Sequence, residues 1–136
     1  MSVHTEKIII LDFGSQTTQL IARRIREQKV YSEIHPYNIS LEQLKDLKPS
    51  GIVLSGGPAS VYDEDAQISD PAIFELGLPV LGICYGAQLM MQQLGGRVEK
   101  AEHREFGKAD LNIIYTGGIF AGMETAPAKY QVWMSH

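Results

Sequence analysis

Gly82, Cys84 and Gly86 alternate in the segment Gly-Ile-Cys-Tyr-Gly, and Cys84 is the one cysteine of the chain. The apolar run at 79–83 predicts a strand buried on both faces, and residues 85–94 have a helical composition that ends at two glycines. A cysteine framed by glycines at a strand-to-helix junction is typical of a nucleophile elbow, where small neighbours permit a sharp turn. A helix N-terminus also stabilises a thiolate. The pattern predicts that Cys84 is a nucleophile, although a lone cysteine is ordinarily a small buried apolar residue.

A second glycine-rich loop, Ser55-Gly56-Gly57-Pro58, follows the predicted strand at 51–54. Consecutive glycines allow backbone N–H groups to point inward and hold an anion. Beside a cysteine nucleophile, that anion would be the tetrahedral oxyanion of acyl transfer. The N–H groups of Gly57 and Tyr85 are the candidate donors, and one such donor is worth about 2.7–4 kcal/mol in the transition state. Alone, the loop is a weak signal because most such loops are plain turns, and its position after a neighbouring strand strengthens that signal.

Gln88 lies one helical turn after Cys84 and on the same face of the predicted helix. Its amide could bind a substrate amide or amino-acid head group, and a solvated glutamine is an equal alternative. A thiolate also needs a base, ordinarily a histidine held by a third group. The sequence favours none of its histidines, which are His4, His35, His103 and His136.

Strands and helices alternate over most of the chain. Strands are predicted at 7–11, 30–34, 51–54 and 79–83, and helices at 17–28, after Ser40, at 70–77 and at 85–94. This alternation predicts an α/β fold with a parallel sheet and helices on both faces. The loops at 12–16 and 55–58 and the cysteine turn should then meet at the carboxyl edge of the sheet. Beyond Gly96 we predict strands at 109–115 and 130–134, with a turn at Gly117-Gly118.

The composition predicts one globular domain over the 136 residues. A net charge of −4 gives no electrostatic reason to expect nucleic acid as a partner, and no apolar run approaches the ~20 residues of a membrane span. A single cysteine excludes a disulfide framework and a cysteine-based metal cluster, so we expect no metal. It also indicates a reducing, cytoplasmic location.

The segments at 82–88 and 55–58 together resemble the class I, triad-type glutamine amidotransferases. Four further segments resemble in particular those members of the family that supply ammonia to a nucleotide-aminating synthetase. These segments lie at 12–16, 19–24, 104–107 and 132–136. The resemblance implies a three-layer α/β/α, flavodoxin-like fold with a mostly parallel sheet. It also implies that Cys84 attacks the side-chain amide of glutamine, forms a glutamyl thioester and releases ammonia. The residues matching the family's oxyanion hole are Gly57 and Tyr85, and those matching its glutamine pocket are Gln88, Ser135 and His136.

The family's catalytic histidine and glutamate lie in a His-Pro-Glu motif downstream of the cysteine, and this sequence does not contain that motif. The ATP-binding Ser-Gly-Gly-Val-Asp-Ser-Ser motif of the synthetase is absent from it as well. We therefore expect a domain incomplete at its C-terminus, inactive alone. The resemblance implies an ATP-pyrophosphatase synthetase domain or subunit that uses ATP and Mg²⁺ to aminate XMP to GMP. It implies no cofactor in the glutamine-hydrolysing domain itself, and a homodimeric full-length enzyme.

Two alternatives remain open. The hydroxyl-rich loop Gly14-Ser-Gln-Thr-Thr18 enters a predicted helix, as in a flavodoxin-like module that binds phosphate or flavin. An unrelated cysteine hydrolase would share the cysteine turn without acting on glutamine. Arg104 and Glu105 form a charged segment that is either a solvated loop or a coupling surface for the synthetase unit. We expect the second role for them.

Overall fold

The computed structural model describes residues 6–57, 66–96 and 98 with their side chains, Gly122, and the backbone of residues 106–112 and 129–135. Its contacts divide the chain into two compact units, Met1–Val98 and Glu99–His136. Each unit is described by itself below. The expectation of a single domain over residues 1–136 stays a prediction.

The first unit is built on a four-stranded parallel sheet in the order β2-β1-β3-β4. Its elements are β1 (Lys7–Asp12), α1 (Thr18–Glu27), β2 (Tyr31–Pro36), α2 (Leu41–Asp46), β3 (Gly51–Leu54), a 3₁₀ helix (Pro71–Glu75), β4 (Val80–Gly82) and α3 (Tyr85–Gln93). The strand order reverses between β1 and β3, which is the position where doubly wound sheets bind ligands beyond their carboxyl ends. The predicted α/β fold with a parallel sheet is confirmed.

Apolar residues cover both faces of this sheet because successive side chains of a strand point to opposite sides. On one face Ile9, Leu11, Ile52 and Leu54 pack with residues of α2, α3 and the 3₁₀ helix, which are Leu44, Leu89 and Ile73. On the other face Ile10 and Val53 pack with Ala22 of α1. Helices therefore lie on both faces, and the three-layer arrangement is confirmed.

The helix ends follow the signals in the sequence. Ser40 begins α2, where a helix was predicted, and acts as its N-cap by accepting a hydrogen bond from the N–H of Gln43 at 3.1 Å. At the end of α3, the N–H of Gly96 donates to Met91 O at 2.7 Å, and Gly95 has a φ of +88°. This is a Schellman ending, where glycine occupies the left-handed position without steric cost.

The short helix predicted at 70–77 is present as a 3₁₀ helix over Pro71–Glu75. Two other local predictions were wrong. The strand at 79–83 was expected to be buried on both faces, but Leu81 is 41% exposed, because β4 is the last strand in the order of this sheet. The sequence also predicts an apolar stripe of Leu20, Ile21 and Ile25 on α1, but the buried positions of α1 are Thr18 and Ala22, and Leu20 is 43% exposed.

The second unit contains an antiparallel pair of strands, β5 (Phe106–Asn112) and β6 (Lys129–Ser135). Phe106 pairs with Ser135 and Asn112 with Lys129. The two predicted strands are confirmed, but β5 begins at Phe106 and ends at Asn112, three residues before each bound of the predicted range 109–115. The predicted turn at 117–118 lies outside the described residues. None of the helices in the described ranges is long and apolar enough to cross a membrane.

Candidate active site

The turn between β4 and α3 holds Cys84 in a backbone conformation that is rare for a residue with a side chain. Its φ is 53° and its ψ is −118°, outside the regions that L-residues commonly occupy. Lys29 and Lys48 also have a positive φ, but each follows the C-cap of a helix, where the left-handed conformation is an ordinary ending. Cys84 instead begins a helix, and such strain costs about 1–3 kcal/mol. The predicted nucleophile elbow is therefore present in the backbone.

The glycines on either side of Cys84 are required by close packing. A Cβ atom at Gly82 would lie 2.7 Å from Cα of Ala87, and one at Gly86 would overlap the carbonyl oxygen of Leu54. The turn is also hydrogen-bonded to β3, because the N–H of Ile83 donates to Leu54 O at 2.9 Å. These contacts force the strained conformation on Cys84, whose side chain is exposed.

The loop after β3 lies directly against the cysteine. A Cβ atom added at Gly56 would be 3.3 Å from Cβ of Cys84 and 3.6 Å from Oγ of Ser15. One added at Gly57 would overlap the carbonyl oxygen of Phe13. The loops that follow β1, β3 and β4 therefore meet at one edge of the sheet, as the strand alternation predicted.

Ser55 connects these three segments, and the sequence did not single out its side chain. Its Oγ accepts a hydrogen bond from the N–H of Phe13 at 3.2 Å and donates to Gly56 O at 3.1 Å. Its carbonyl oxygen accepts from the N–H of Gly86 at 3.1 Å, and the residue is 0% exposed. The available signal was a small hydroxyl residue directly after a wholly apolar strand, where a buried hydroxyl must find partners.

Tyr85, the residue after the cysteine, is anchored in the core of the first unit. It is 3% exposed, its ring centroid lies 5.3 Å from that of Phe13, and its hydroxyl donates to Gln67 O. Gln88 lies on α3 with an exposed side chain, and its N–H donates to Cys84 O at 3.1 Å. The oxyanion role of Tyr85 and the substrate-binding role of Gln88 stay predictions.

The loop after β1 uses its own side chains to satisfy its donors. Oδ1 of Asp12 accepts from the N–H of Gly14 at 2.8 Å and from Oγ1 of Thr18 at 3.2 Å. Oγ of Ser15 accepts from the N–H of Thr17 at 3.0 Å. A carboxylate thus holds donors that a bound phosphate would need, and a second anion there would be repelled. This arrangement argues against the phosphate-binding alternative.

His35 is too far from Cys84 to serve as its base. It lies on β2 and Cys84 follows β4, with β1 and β3 between them, so at the usual strand spacing the two are roughly 14 Å apart. The ring of His35 is 3.0 Å from Oε1 of Glu33. That hydrogen bond, with help from Lys7 and Tyr31, lowers the pKa of the Glu33 carboxyl. No other histidine lies in the part of the chain that the structure describes.

The remaining predicted site residues belong to the second unit. Ser135 ends β6, opposite Phe106, and its side chain lies outside the described atoms. His136, Arg104 and Glu105 lie outside the described residues. Their proposed roles in substrate binding and coupling therefore stay predictions.

The glycine-framed thiol on a doubly wound sheet has a counterpart among known families. The sequence model of the family described as glutamine amidotransferase class-I matches residues 9–136. The chain therefore belongs to the class I glutamine amidotransferase family.

Individual relatives narrow the comparison. The chain is 69% identical over all of its 136 residues to a GMP synthase [glutamine-hydrolyzing] of Desulfotalea psychrophila, and covers 26% of that protein. It is 58% identical over 131 residues to the GMP synthase [glutamine-hydrolyzing] of Heliobacterium modesticaldum, of which it covers 25%. The chain thus spans about a quarter of the length of these relatives.

A crystal structure supports the same comparison at the level of the fold. It is described as that of one subunit of a GMP synthase from Thermoplasma acidophilum, and it is 34% identical with a TM-score of 0.80. The alignment covers 97% of this chain and 65% of that one.

Proposed function

We propose that this chain is the glutamine-hydrolysing module of a GMP synthase, with Cys84 as its nucleophile. Its family membership and its identity to GMP synthases of two bacteria support this function. The observation that carries it is the strained backbone of Cys84, with Gly56 packed beside its side chain. An exposed thiol at the carboxyl edge of the sheet has no structural need for that conformation, but a nucleophile that must meet a substrate carbonyl does.

In the proposed reaction the thiolate of Cys84 attacks the side-chain carboxamide carbon of glutamine. A carbon–sulfur bond forms, and the carbonyl oxygen becomes an oxyanion held by the N–H groups of Gly57 and Tyr85. The carbon–nitrogen bond then breaks and the nitrogen leaves, with an added proton, as ammonia. Water hydrolyses the glutamyl thioester to glutamate and restores the thiol. Gln88, Ser135 and His136 would bind the rest of the substrate.

The ammonia would pass to an ATP-pyrophosphatase synthetase unit that uses ATP and Mg²⁺ to aminate XMP to GMP. The relatives are about four times as long as this chain, which supports a synthetase in the same polypeptide. The protein from Thermoplasma acidophilum, described as one subunit of its enzyme, supports the other arrangement, in which the synthetase is a separate polypeptide. We also propose that the full-length enzyme is a homodimer and that it is cytoplasmic, since a nucleophilic thiol stays reduced in that compartment.

The test is the nitrogen source of the full-length enzyme carrying Cys84→Ser. Glutamine-dependent amination of XMP should fall by about 10³-fold or more, since a displaced nucleophile leaves only residual catalysis. Amination from added ammonium should stay near the wild-type rate, because ammonia enters after the step that needs the thiol. The ammonium rate also serves as the control for folding.

Equal loss with both nitrogen sources would contradict this division of labour. The cysteine-hydrolase alternative makes a different prediction, namely ester or peptide turnover by the wild-type protein without release of glutamate from glutamine. Measuring glutamate and GMP in one assay tests the division of labour, and assaying the wild-type protein with ester and peptide substrates tests the cysteine-hydrolase alternative.

Arg104 and Glu105 remain our candidates for coupling the two units. They directly precede β5, which begins at Phe106, and their opposite charges suit an exposed docking segment. The coupling hypothesis holds if Arg104→Ala lowers the stimulation of glutaminase by XMP and ATP while the basal rate is kept. Coupling of this kind is typically worth about 1–3 kcal/mol.

A further inference from the structure

Ser55 is saturated with hydrogen bonds where the three loops of the candidate active site meet. Its N–H donates to Leu11 O at 3.1 Å and its carbonyl accepts from the N–H of Gly86. Its hydroxyl accepts from the N–H of Phe13, so the hydroxyl proton is left to point elsewhere. That proton is donated to Gly56 O at 3.1 Å. The side chain is therefore held in one orientation by Phe13 and Gly56.

The bond to Gly56 O determines the direction of the next peptide group. A trans peptide is planar, with its C=O and N–H on opposite sides. Because the carbonyl of Gly56 points toward the buried Ser55 hydroxyl, the N–H of Gly57 points away from Ser55. Glycine on both sides of this peptide gives it little intrinsic preference for one orientation. The hydrogen bond from the Ser55 hydroxyl thus selects one of the two orientations of the Gly56–Gly57 peptide.

We propose that Ser55 is a positioning residue for glutamine hydrolysis, whose hydroxyl keeps the Gly57 N–H directed at the developing oxyanion. This inference rests on the function proposed above. Without the hydroxyl the Gly56–Gly57 peptide is free to rotate, and the rotated form presents a carbonyl oxygen in place of a donor. A carbonyl there repels an oxyanion, so the rotated form does not support the tetrahedral intermediate.

The first experiment compares wild type and Ser55→Ala in the full-length enzyme. We expect kcat for glutamine hydrolysis to fall by about tenfold or more, less than the roughly 10²–10³-fold cost of deleting a donor outright. The KM for glutamine should change little, since the donor acts on the transition state. Alkylation of Cys84 by iodoacetamide, a displacement at carbon that forms no oxyanion, should keep its wild-type rate.

Ser32→Ala is the matched control. Oγ of Ser32 also donates to a backbone carbonyl at 3.1 Å, that of Ala22, and Ser32 is also 0% exposed. It lies on β2, at the other edge of the sheet from the cysteine turn. This variant should lose stability with unchanged kcat, which separates loss of a buried hydroxyl from loss of positioning.

If Ser55→Ala does not fold, the proposal is tested by comparing kcat of Ser55→Thr with kcat of Ser55→Val. The two side chains have nearly the same shape, and only threonine carries the hydroxyl. We expect kcat of the threonine variant to exceed that of the valine variant by about tenfold. Equal kcat values, or an alkylation rate that falls in step with kcat, would overturn the inference. If the wild-type enzyme releases no glutamate from glutamine, the proposed function fails instead.

Discussion

Cys84 adopts a backbone conformation with positive φ that is ordinarily found at glycine, and its side chain is the proposed nucleophile. Its φ of 53° and ψ of −118° are imposed by Gly82 and Gly86, which allow contacts that a Cβ atom would block. At this residue the chain gives up stability to hold a sulfur at the edge of the sheet. A substitution that relieves the strain at Cys84 should therefore raise stability while it abolishes activity.

We predict that Cys84→Gly unfolds at a higher urea concentration than Cys84→Ala. Glycine relieves strain of about 1–3 kcal/mol and loses about 0.5–1 kcal/mol to its greater freedom in the unfolded chain. The net gain in the free energy of unfolding is then on the order of 1 kcal/mol, and neither variant can hydrolyse glutamine. If alanine proves as stable as glycine, the turn is not strained in solution.

At the scale of elements, the geometry of the candidate site depends on how closely the start of α3 packs against β3. Gly86 is buried against β3, its N–H donates to Ser55 O, and a Cβ atom there would overlap the carbonyl oxygen of Leu54. A side chain at this position must therefore push α3 away from the strand. Such a shift moves Cys84, because that residue begins the helix.

We predict that Gly86→Ala lowers glutaminase kcat by about 100-fold, the size of effect that a misplacement of about 1 Å produces. Gly77→Ala is the control, because Gly77 has a φ of +75° with no atom within 4 Å of an added Cβ. That variant should lose about 1–2 kcal/mol of stability to strain and keep its kcat. Equal kcat in the two variants would show that the fit of α3 against β3 does not control the chemistry.

At the scale of the whole molecule, charge at the edge of the sheet links stability to pH. Nζ of Lys7 on β1 lies 3.2 Å from Oε2 of Glu33 on β2, and His35 holds the other carboxylate oxygen. These partners lower the pKa of Glu33 from its ordinary value of 4.5. Because the folded state lowers this pKa, the carboxylate stabilises the fold above pH 4.5. That stability is lost as the pH falls from there through the lowered value.

We predict that Glu33→Gln flattens the dependence of the free energy of unfolding on pH below 4.5. The variant should be less stable than wild type at pH 7, by less than about 1 kcal/mol for partly exposed pairs. The two curves should approach each other as the pH falls. Urea titrations between pH 3 and pH 7 measure this, and parallel curves would assign the acid sensitivity to other carboxylates.

The periodicity and turn chemistry of the sequence predicted most of the first unit because those signals are local. Ser40 caps α2 and Gly95 ends α3 as expected. The wrong predictions concern neighbours that a local pattern cannot show. Leu81 is exposed because β4 is the last strand in the sheet order, and an apolar run does not reveal its place in a sheet.

The sequence predicted the parts of the candidate site whose geometry is set by a local motif. It did not predict hydrogen bonds between residues that are far apart in the sequence. The glycines around Cys84 predicted the turn. Ser55 belongs to the glycine-rich loop that the sequence shows, but the bond between its hydroxyl and the N–H of Phe13 depends on how β1 and β3 align. The polar side chain of Gln93 by itself predicts a solvated residue, yet its Nε2 donates to Ser69 O at 2.9 Å. Such contacts join residues that are distant in the sequence.

The strand order has a consequence for how the chain matures during synthesis. The three strands β1, β2 and β3 and the loop at Ser55 leave the ribosome before β4, and β1 takes the middle position between the other two. This partial sheet can pair without the residues that carry the thiol. Cys84 emerges later and joins at the edge, against a β3 strand that already has its partner. Among the three loops that form the candidate site, the one with the reactive thiol is therefore synthesised last, after the strands and loops against which it packs.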